Sequence, residues 1–248
     1  MVFARQQLHA GHVGIGSTSP AGNLDVSNGA NTATACINGN CASKFGPYSG
    51  LTFVTATGSG TWTVPTGVTK IKVTILGGGG GGGSTTGGAQ AGGGGGSGAY
   101  CEAYMSVTGG ASITYSVGAA GSAGNAGGAT TFNSSTLSVG GGGGGTNAPA
   151  SGAGGTMTAC PSGMGVAGFT GQNPNFNGLA YASLFGANSH KGYGTGGVFV
   201  TSNLNSATSV AGNNGQGYGA GGGGAVSQLS ASGATGGSGT AGMILVEY

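Results

Sequence analysis

Two histidines, His9 and His12, sit three apart in "HAGH", and a third, His190, lies far downstream beside Lys191. Imidazoles at that spacing can share a metal ion, but a structural site needs four ligands and a catalytic one three. "HAGH" offers two, so an ordinary surface position near the N-terminus is the better reading. His190 with Cys160 would make a thiol nucleophile and its base. Nothing in the sequence orients one against the other, and a plain surface histidine is the stronger reading. The acids, Asp25, Glu102 and Glu247, are far apart, so no carboxylate pair is at hand for acid–base work. The run "GGGGGGGSTT" (77–86) lacks the Gly-Lys-Ser/Thr of a phosphate-binding loop. No catalytic residue, metal site or cofactor is assigned, and the chain is expected not to be an enzyme.

The cysteines are Cys36, Cys41, Cys101 and Cys160. Cys36 and Cys41 frame "INGN", whose Asn38-Gly39 is a hairpin-turn signal. A hairpin there brings the sulfurs within bonding distance if they face one another. A local disulfide and a zinc-ligand pair are the two readings; zinc is the weaker because no second pair accompanies the first. Cys101 alternates with Ala103, Met105 and Val107 and reads as a buried thiol. Cys160 has no evident partner.

Residues 169–200, "FTGQNPNFNGLAYASLFGANSHKGYGTGGVFV", concentrate aromatic and amide side chains. Rings pack on sugar faces and amides bond hydroxyls; Tyr and Asn also favour protein-binding loops. Asn173, Asn175, Phe176, Tyr181, His190, Lys191 and Tyr193 are therefore the candidate ligand contacts. The competing reading is that these aromatics supply a core that glycine cannot. Both hold if the apolar members turn inward and Asn173, His190, Lys191 and Tyr193 outward.

What must position these residues is unusual in composition. Glycine accounts for 65 of 248 residues, charged residues for 3%, and hydrophobic ones for 37%. Disordered chains are charge-rich and apolar-poor, which is the opposite balance. Six prolines and no continuous G-X-Y period exclude collagen. A net charge of +2 without a basic cluster leaves little with which to neutralise phosphates, so no nucleic-acid partner is expected. No apolar run reaches the roughly 18–20 residues that span a bilayer, so no membrane insertion is expected. The opening "MVFARQQLHAGHVGIG" has no secretion-signal core and starts in mid-pattern; it reads as part of a longer chain.

Strand signals are dense from Leu51 onward. "VTKIKVTIL" puts Ile71, Val73 and Ile75 on one face and Lys70, Lys72 and Thr74 on the other, and "AYCEAYMSV" puts Glu102 beside those lysines. The alternation places the lysines and Glu102 outside, with Lys72 replaceable at little cost. "LTFVTA", "GTWTVP", "SITYSV", "TTF", "TLSV" and "MILVEY" add further strands. Period two with frequent glycine turns argues for an all-β, antiparallel, jelly-roll-like sandwich. Only "LAYASLFGA" (179–187) hints at a helical turn, and 146–232 shows no pattern.

Between the strands lie glycine tracts at 77–83, 92–96, 140–145 and 221–224. Gly118, Gly121, Gly124 and Gly127, and again Gly233, Gly236, Gly239 and Gly242, recur every third residue, which is the period of the polyproline-II helix. Such a helix has no internal hydrogen bonds, so its neighbours must supply them. The tracts are read as polyglycine-II rods packed backbone to backbone, against the alternative of mobile linkers.

Two stretches resemble known families. "VGIGSTSPAGNLDV" (13–26) resembles a stem repeat of trimeric phage tail fibres and bacterial surface adhesins. "TWTVPTGVTKIKVTILGGGGGGG" (61–83), "GGGGGSGAY" (92–100) and "GTAGMILVEY" (239–248) resemble the glycine-rich domain of fibre-tip proteins. The resemblance implies a short β stem over 1–49 and a glycine-rich tip over 50–248. It also implies a homotrimer outside the cell that binds a target-cell glycan or envelope component. The alternative is an ice-binding or purely structural glycine-rod protein.

Overall fold

The computed structural model describes residues 50–147, 150–174, 185–198, 208–228 and 231–248, together with five short backbone strands before Gly50. The chain divides into two compact units, Met1–Ser49 and Gly50–Tyr248.

In the first unit, Gln6–His9 and His12–Ile15 form an antiparallel hairpin in which His9 faces His12, and Leu24–Val26 adds to it in parallel. Ala35–Ile37 and Asn40–Ala42 form a second hairpin whose register sets Cys36 opposite Cys41, as the Asn-Gly turn predicts.

The second unit is built on ten strands: β1 (Leu51–Val54), β2 (Gly58–Thr63), β3 (Lys70–Leu76), β4 (Tyr100–Ser106), β5 (Ser112–Val117), β6 (Thr130–Phe132), β7 (Leu137–Val139), β8 (Met157–Ala159), β9 (Gly163–Val166) and β10 (Met243–Glu247). They make two antiparallel five-stranded sheets, β9-β4-β3-β10-β1 and β8-β7-β6-β5-β2, called the first and second sheets. Neither closes into a barrel. The fold is an all-β sandwich, with no α-helix among the described residues. Ile71, Val73, Ile75, Ile244 and Val246 of the first sheet meet Trp62, Ile113, Val117, Phe132 and Leu137 of the second in one core. The period-two alternation is what sends them there.

Cys101 is disulfide-bonded to Cys160, across a sequence separation of 59. This corrects the reading of Cys101 as a free buried thiol. Alternation does send Cys101 inward, but β8 and β9, edge strands of the two different sheets and neither legible as a strand pattern, bring Cys160 between them to meet it.

Beyond Leu76 and Tyr100 the side-chain core stops and a backbone core begins. Gly77, Gly80 and Gly83 donate hydrogen bonds to the carbonyls of Ala99, Gly96 and Gly93. Gly78 and Gly81 donate to Gly128 and Asn125, and Gly79 and Gly82 to Thr240 and Gly237. In return Gly142 and Gly145 donate to Gly78 and Gly81, Gly121 and Gly124 to Gly79 and Gly82, and Gly222 and Ala225 to Gly80 and Gly83. All these bonds are 2.8–3.0 Å long. The rod 77–83 thus touches six others. It donates to three antiparallel rods and accepts from three parallel ones, changing partner at each residue and returning every third. That is the three-fold screw of a polyproline-II helix inside a hexagonal bundle, and the ordered-rod reading holds.

The rods 92–98 and 219–225 are likewise buried, with neighbours all round. A Cβ added at any of Gly77–Gly83 would meet a neighbouring carbonyl oxygen well under the 3.0 Å at which something must shift. One detail departs from the sequence reading. The series 118, 121, 124, 127 is two antiparallel rods joined by a turn at Gly124, whose φ is +74°.

Strands rise about 3.3 Å per residue and these rods about 3.1 Å, so one runs into the other with little change of pitch. Thr130 seals the seam: buried, it donates to the Leu76 carbonyl at 2.7 Å and accepts from the Gly118 amide at 3.0 Å.

Candidate functional site

The second unit has two ends. Gly50 and Tyr248 bond to each other's backbones at one end of the sandwich. The rods leave from the other end, because Leu76, Tyr100, Val166 and Met243 lie in register there. Described parts of the segments that join successive rods away from the sandwich include 84–91, the turn at 123–125, 208–210 and 226–228. The small sheet of Gln90–Ala91, Val226–Ser227 and Ser209–Val210 ties three of them together.

At this distal end polar side chains complete the lattice where rods run out of neighbours. The Asn173 side-chain oxygen accepts from the Ser151 amide at 2.8 Å, and that of Asn214 accepts from Ser238 at 2.8 Å. Gln90 accepts from both the amide and the hydroxyl of Thr86. An Asn carboxamide presents the same acceptor as a peptide carbonyl, so it substitutes for an absent rod. Asn173 is exposed, and its NH2 group is the part not engaged in this bond. Asn175, Phe176 and Tyr181 lie outside the described residues, as does most of the "LAYASLFGA" segment; its last residues, 185–187, run as a rod.

His190, Lys191 and Tyr193 lie elsewhere. They occupy a turn at 189–194 that returns from the lattice to the outer face of the first sheet, so the structure does not bring them together with Asn173. Tyr193 is half-buried and packs with Tyr218 against Leu76, Tyr100 and Met243. His190 contacts the Ala167 carbonyl at 2.7 Å and packs its ring on Phe169, 4.4 Å between centroids. It does not pair with Cys160, which is held in the disulfide.

Lys191, in left-handed conformation at φ 52°, donates to Glu102 at 3.0 Å and lies 5.1 Å from the Tyr100 ring centroid. The Tyr100 hydroxyl donates to the same Glu102 oxygen at 2.8 Å. Lys72 bridges Glu102 at 3.5 Å and Glu247 at 3.0 Å. Lys72 is therefore held between two carboxylates on the outer face, where the alternation places it, while Lys70 is exposed at the strand start. Burial pushes the Tyr100 hydroxyl up. Burial also pushes the Glu102 carboxyl up, but hydrogen bonds from Lys191 and Tyr100 and the Lys72 charge outweigh it and hold Glu102 below its ordinary value. The hydrogen bonds to Tyr100 and Glu102 raise Lys191. This network fastens the turn to the sheet. Its groups are spent on one another, and among the described residues no cluster of His, Cys, Asp or Glu could hold a metal ion.

The outer face of the second sheet is different again. Register places Ser59, Thr61, Thr63, Ser112, Thr114, Ser116, Thr131 and Ser138 on it. This hydroxyl surface was not foreseen; the alternation in "GSGTWT" and "SITYSV" carried it, behind the more conspicuous apolar partners.

The curated proteins contain no match to this chain. The family described as "Glycine-rich domain" matches residues 54–248, from the end of β1 through the whole lattice to the C-terminus. Over that span the chain belongs to the glycine-rich domain family.

Proposed function

We propose that this chain is the non-enzymatic receptor-binding tip of a homotrimeric fibre, adhering outside the cell to a glycan or envelope component of a target cell. The observation that carries the reading is the polarity of the second unit. Gly50 and Tyr248 meet at one pole, and a backbone lattice extends from the other, carrying turns such as 84–91 and 123–125 away from the sandwich. A bundle whose central rod has every amide bonded to a neighbour is a stiff spacer, and loops on a rigid scaffold are the usual place for recognition. The disulfide supports an oxidising, extracytoplasmic setting. Of the candidate contacts, exposed Asn173 is assigned to the ligand, and with it Asn175, Phe176 and Tyr181, which lie outside the described residues. His190, Lys191 and Tyr193 are assigned to fastening the lattice.

The test is a glycan-array and target-cell binding screen with the full chain, beside a Phe176→Ala/Tyr181→Ala variant. Binding that the variant loses without a change in melting temperature supports the proposal. Absence of any binding to cells, or equal binding by the variant, refutes it.

The hydroxyl face of the second sheet favours a second reading, ice binding, which asks for flat regular arrays of such groups. An ice-recrystallisation assay separates the two; inhibition abolished by Thr61→Lys/Thr114→Lys would select ice.

A further inference from the structure

The two outer faces of the sandwich are not alike. Opposite the hydroxyl surface, the outer face of the first sheet carries most of the large apolar side chains exposed among the described residues. Met164, Val166 and Phe169 lie along its β9 edge with Tyr104 near them, and Leu51 and Phe53 line its β1 edge. Exposures run from 38% for Val166 to 63% for Leu51 and Tyr104. Half-exposed side chains of this size present on the order of 600 Å² of apolar surface. Divided between the two edges this is about 300 Å² each, the size of the largest patches a monomer normally leaves uncovered and often uses, and short of the roughly 800 Å² per partner of a standard untethered interface.

The charges lie between the two apolar edges. Every charged residue after Gly50 (Lys70, Lys72, Glu102, Lys191 and Glu247) belongs to this side of the molecule, and Lys72, Lys191, Glu102 and Glu247 are paired among themselves. A belt with two charges of each sign, already neutralised, neither attracts a charged partner nor repels a copy of itself. A nucleic acid or an anionic membrane would ask for a cationic excess. The occupant that these features fit is a second copy of this chain.

We infer that neighbouring copies pack through this face, with the Leu51–Phe53 edge of one seated on the Met164–Val166–Phe169 edge of the next. The two edges differ, so the contact is heterologous, and a heterologous contact that closes makes a ring. The inference rests on the homotrimer reading and gives it an interface. Tethering through residues 1–49 would raise the local concentration, so a face of moderate area suffices.

The test uses the full chain. Phe53 and Met164 lie at opposite edges of a five-stranded sheet, four strand spacings or ~19 Å apart. A Phe53→Cys/Met164→Cys variant treated with a bismaleimide too short to span the sheet can join these positions only between copies. The expected result is a covalent ladder ending at three chains, absent from either single variant, with light scattering of the wild type at trimer mass. A double variant that has fallen to monomer mass while keeping its fold also supports the inference, since the face was then needed. A trimer in the double variant that does not cross-link overturns this interface and leaves the trimer reading intact. A wild-type monomer overturns both. Cross-linking of Met164→Cys alone into dimers shows like edges meeting and overturns the edge-to-edge arrangement.

Discussion

The sandwich and the lattice are two solutions to the same problem, burying a chain without leaving its backbone unpaired. In the sandwich, strands pair within sheets and side chains such as Phe132 and Ile75 fill the space between. In the lattice nothing fills the space, because backbones themselves are in contact and every amide of 77–83 is bonded to a neighbouring rod. The two regions use glycine in opposite ways. Gly67 and Gly110 in the sandwich turns have positive φ and open space where a Cβ would be. The glycines of 77–83 have no positive φ and no space. One set is there for conformation, the other for proximity.

Gly80→Val should break the lattice outright. Its branched side chain meets the Gly143 backbone, which cannot swing aside as a side chain can. A loss of more than about 4 kcal/mol is expected in chemical denaturation, and hydrogen exchange across 77–83 should pass from strand-like protection to rapid. A nearly neutral result would reduce the lattice to loose packing. Val73→Asp attacks the sandwich instead, burying an unpaired carboxylate at a fully enclosed site. About 3–5 kcal/mol is expected, read from the melting curve.

Cys160→Ser asks whether the sandwich needs covalent help when so much of its unit is a glycine lattice without side chains. Loss of the Cys101 bridge should cost about 2–5 kcal/mol, with reductant reproducing the effect in the wild type and adding nothing in the variant. Gly67→Ala tests the other use of glycine. With room for the methyl but φ at +84°, it should lose only about 1 kcal/mol, far less than Gly80→Val.

The smallest effect belongs to the network that joins the two regions. Glu102→Gln should cost about 1 kcal/mol or less, concentrated in hydrogen exchange of the 189–194 turn. The pH dependence has a definite sign. The folded-state value of Glu102 is lowered, so its contribution is present above the unfolded carboxylate value and is lost as pH falls through the folded one. The variant should therefore lose less stability on acidification than the wild type, as measured by thermal melts between neutral and strongly acid pH.

The sequence was legible where side chains alternate. Strands β2 to β5 and β10, and the inward set Ile71, Val73 and Ile75, follow from period two. The rods were legible from period three, since a helix of three residues per turn must repeat its crowded face at that interval. Strands β8 and β9 were not, because "MTA" and "GMGV" are too short and glycine-rich to show a pattern, and the Cys160 partner was lost with them. The candidate site was legible only as composition. Asn173 and His190 share one stretch of sequence, but a rod runs between them and carries them to opposite ends of the lattice. No local signal records where an extended chain will turn back.

The lattice also gives this protein something like a reading frame. A rod meets each neighbour once every three residues, as Gly77, Gly80 and Gly83 meet the rod 92–98. Inserting or deleting three residues in two joined rods moves the distal end by one step and leaves every partner in phase. Inserting one or two turns each following residue by a third or two-thirds of a revolution, aiming amides at the wrong neighbours and outward-facing side chains into backbone. Length can therefore change in units of roughly 9 Å while the rod-joining segments change freely in composition. Among variants of such a chain, tract lengths should differ by multiples of three, and segment lengths by any number.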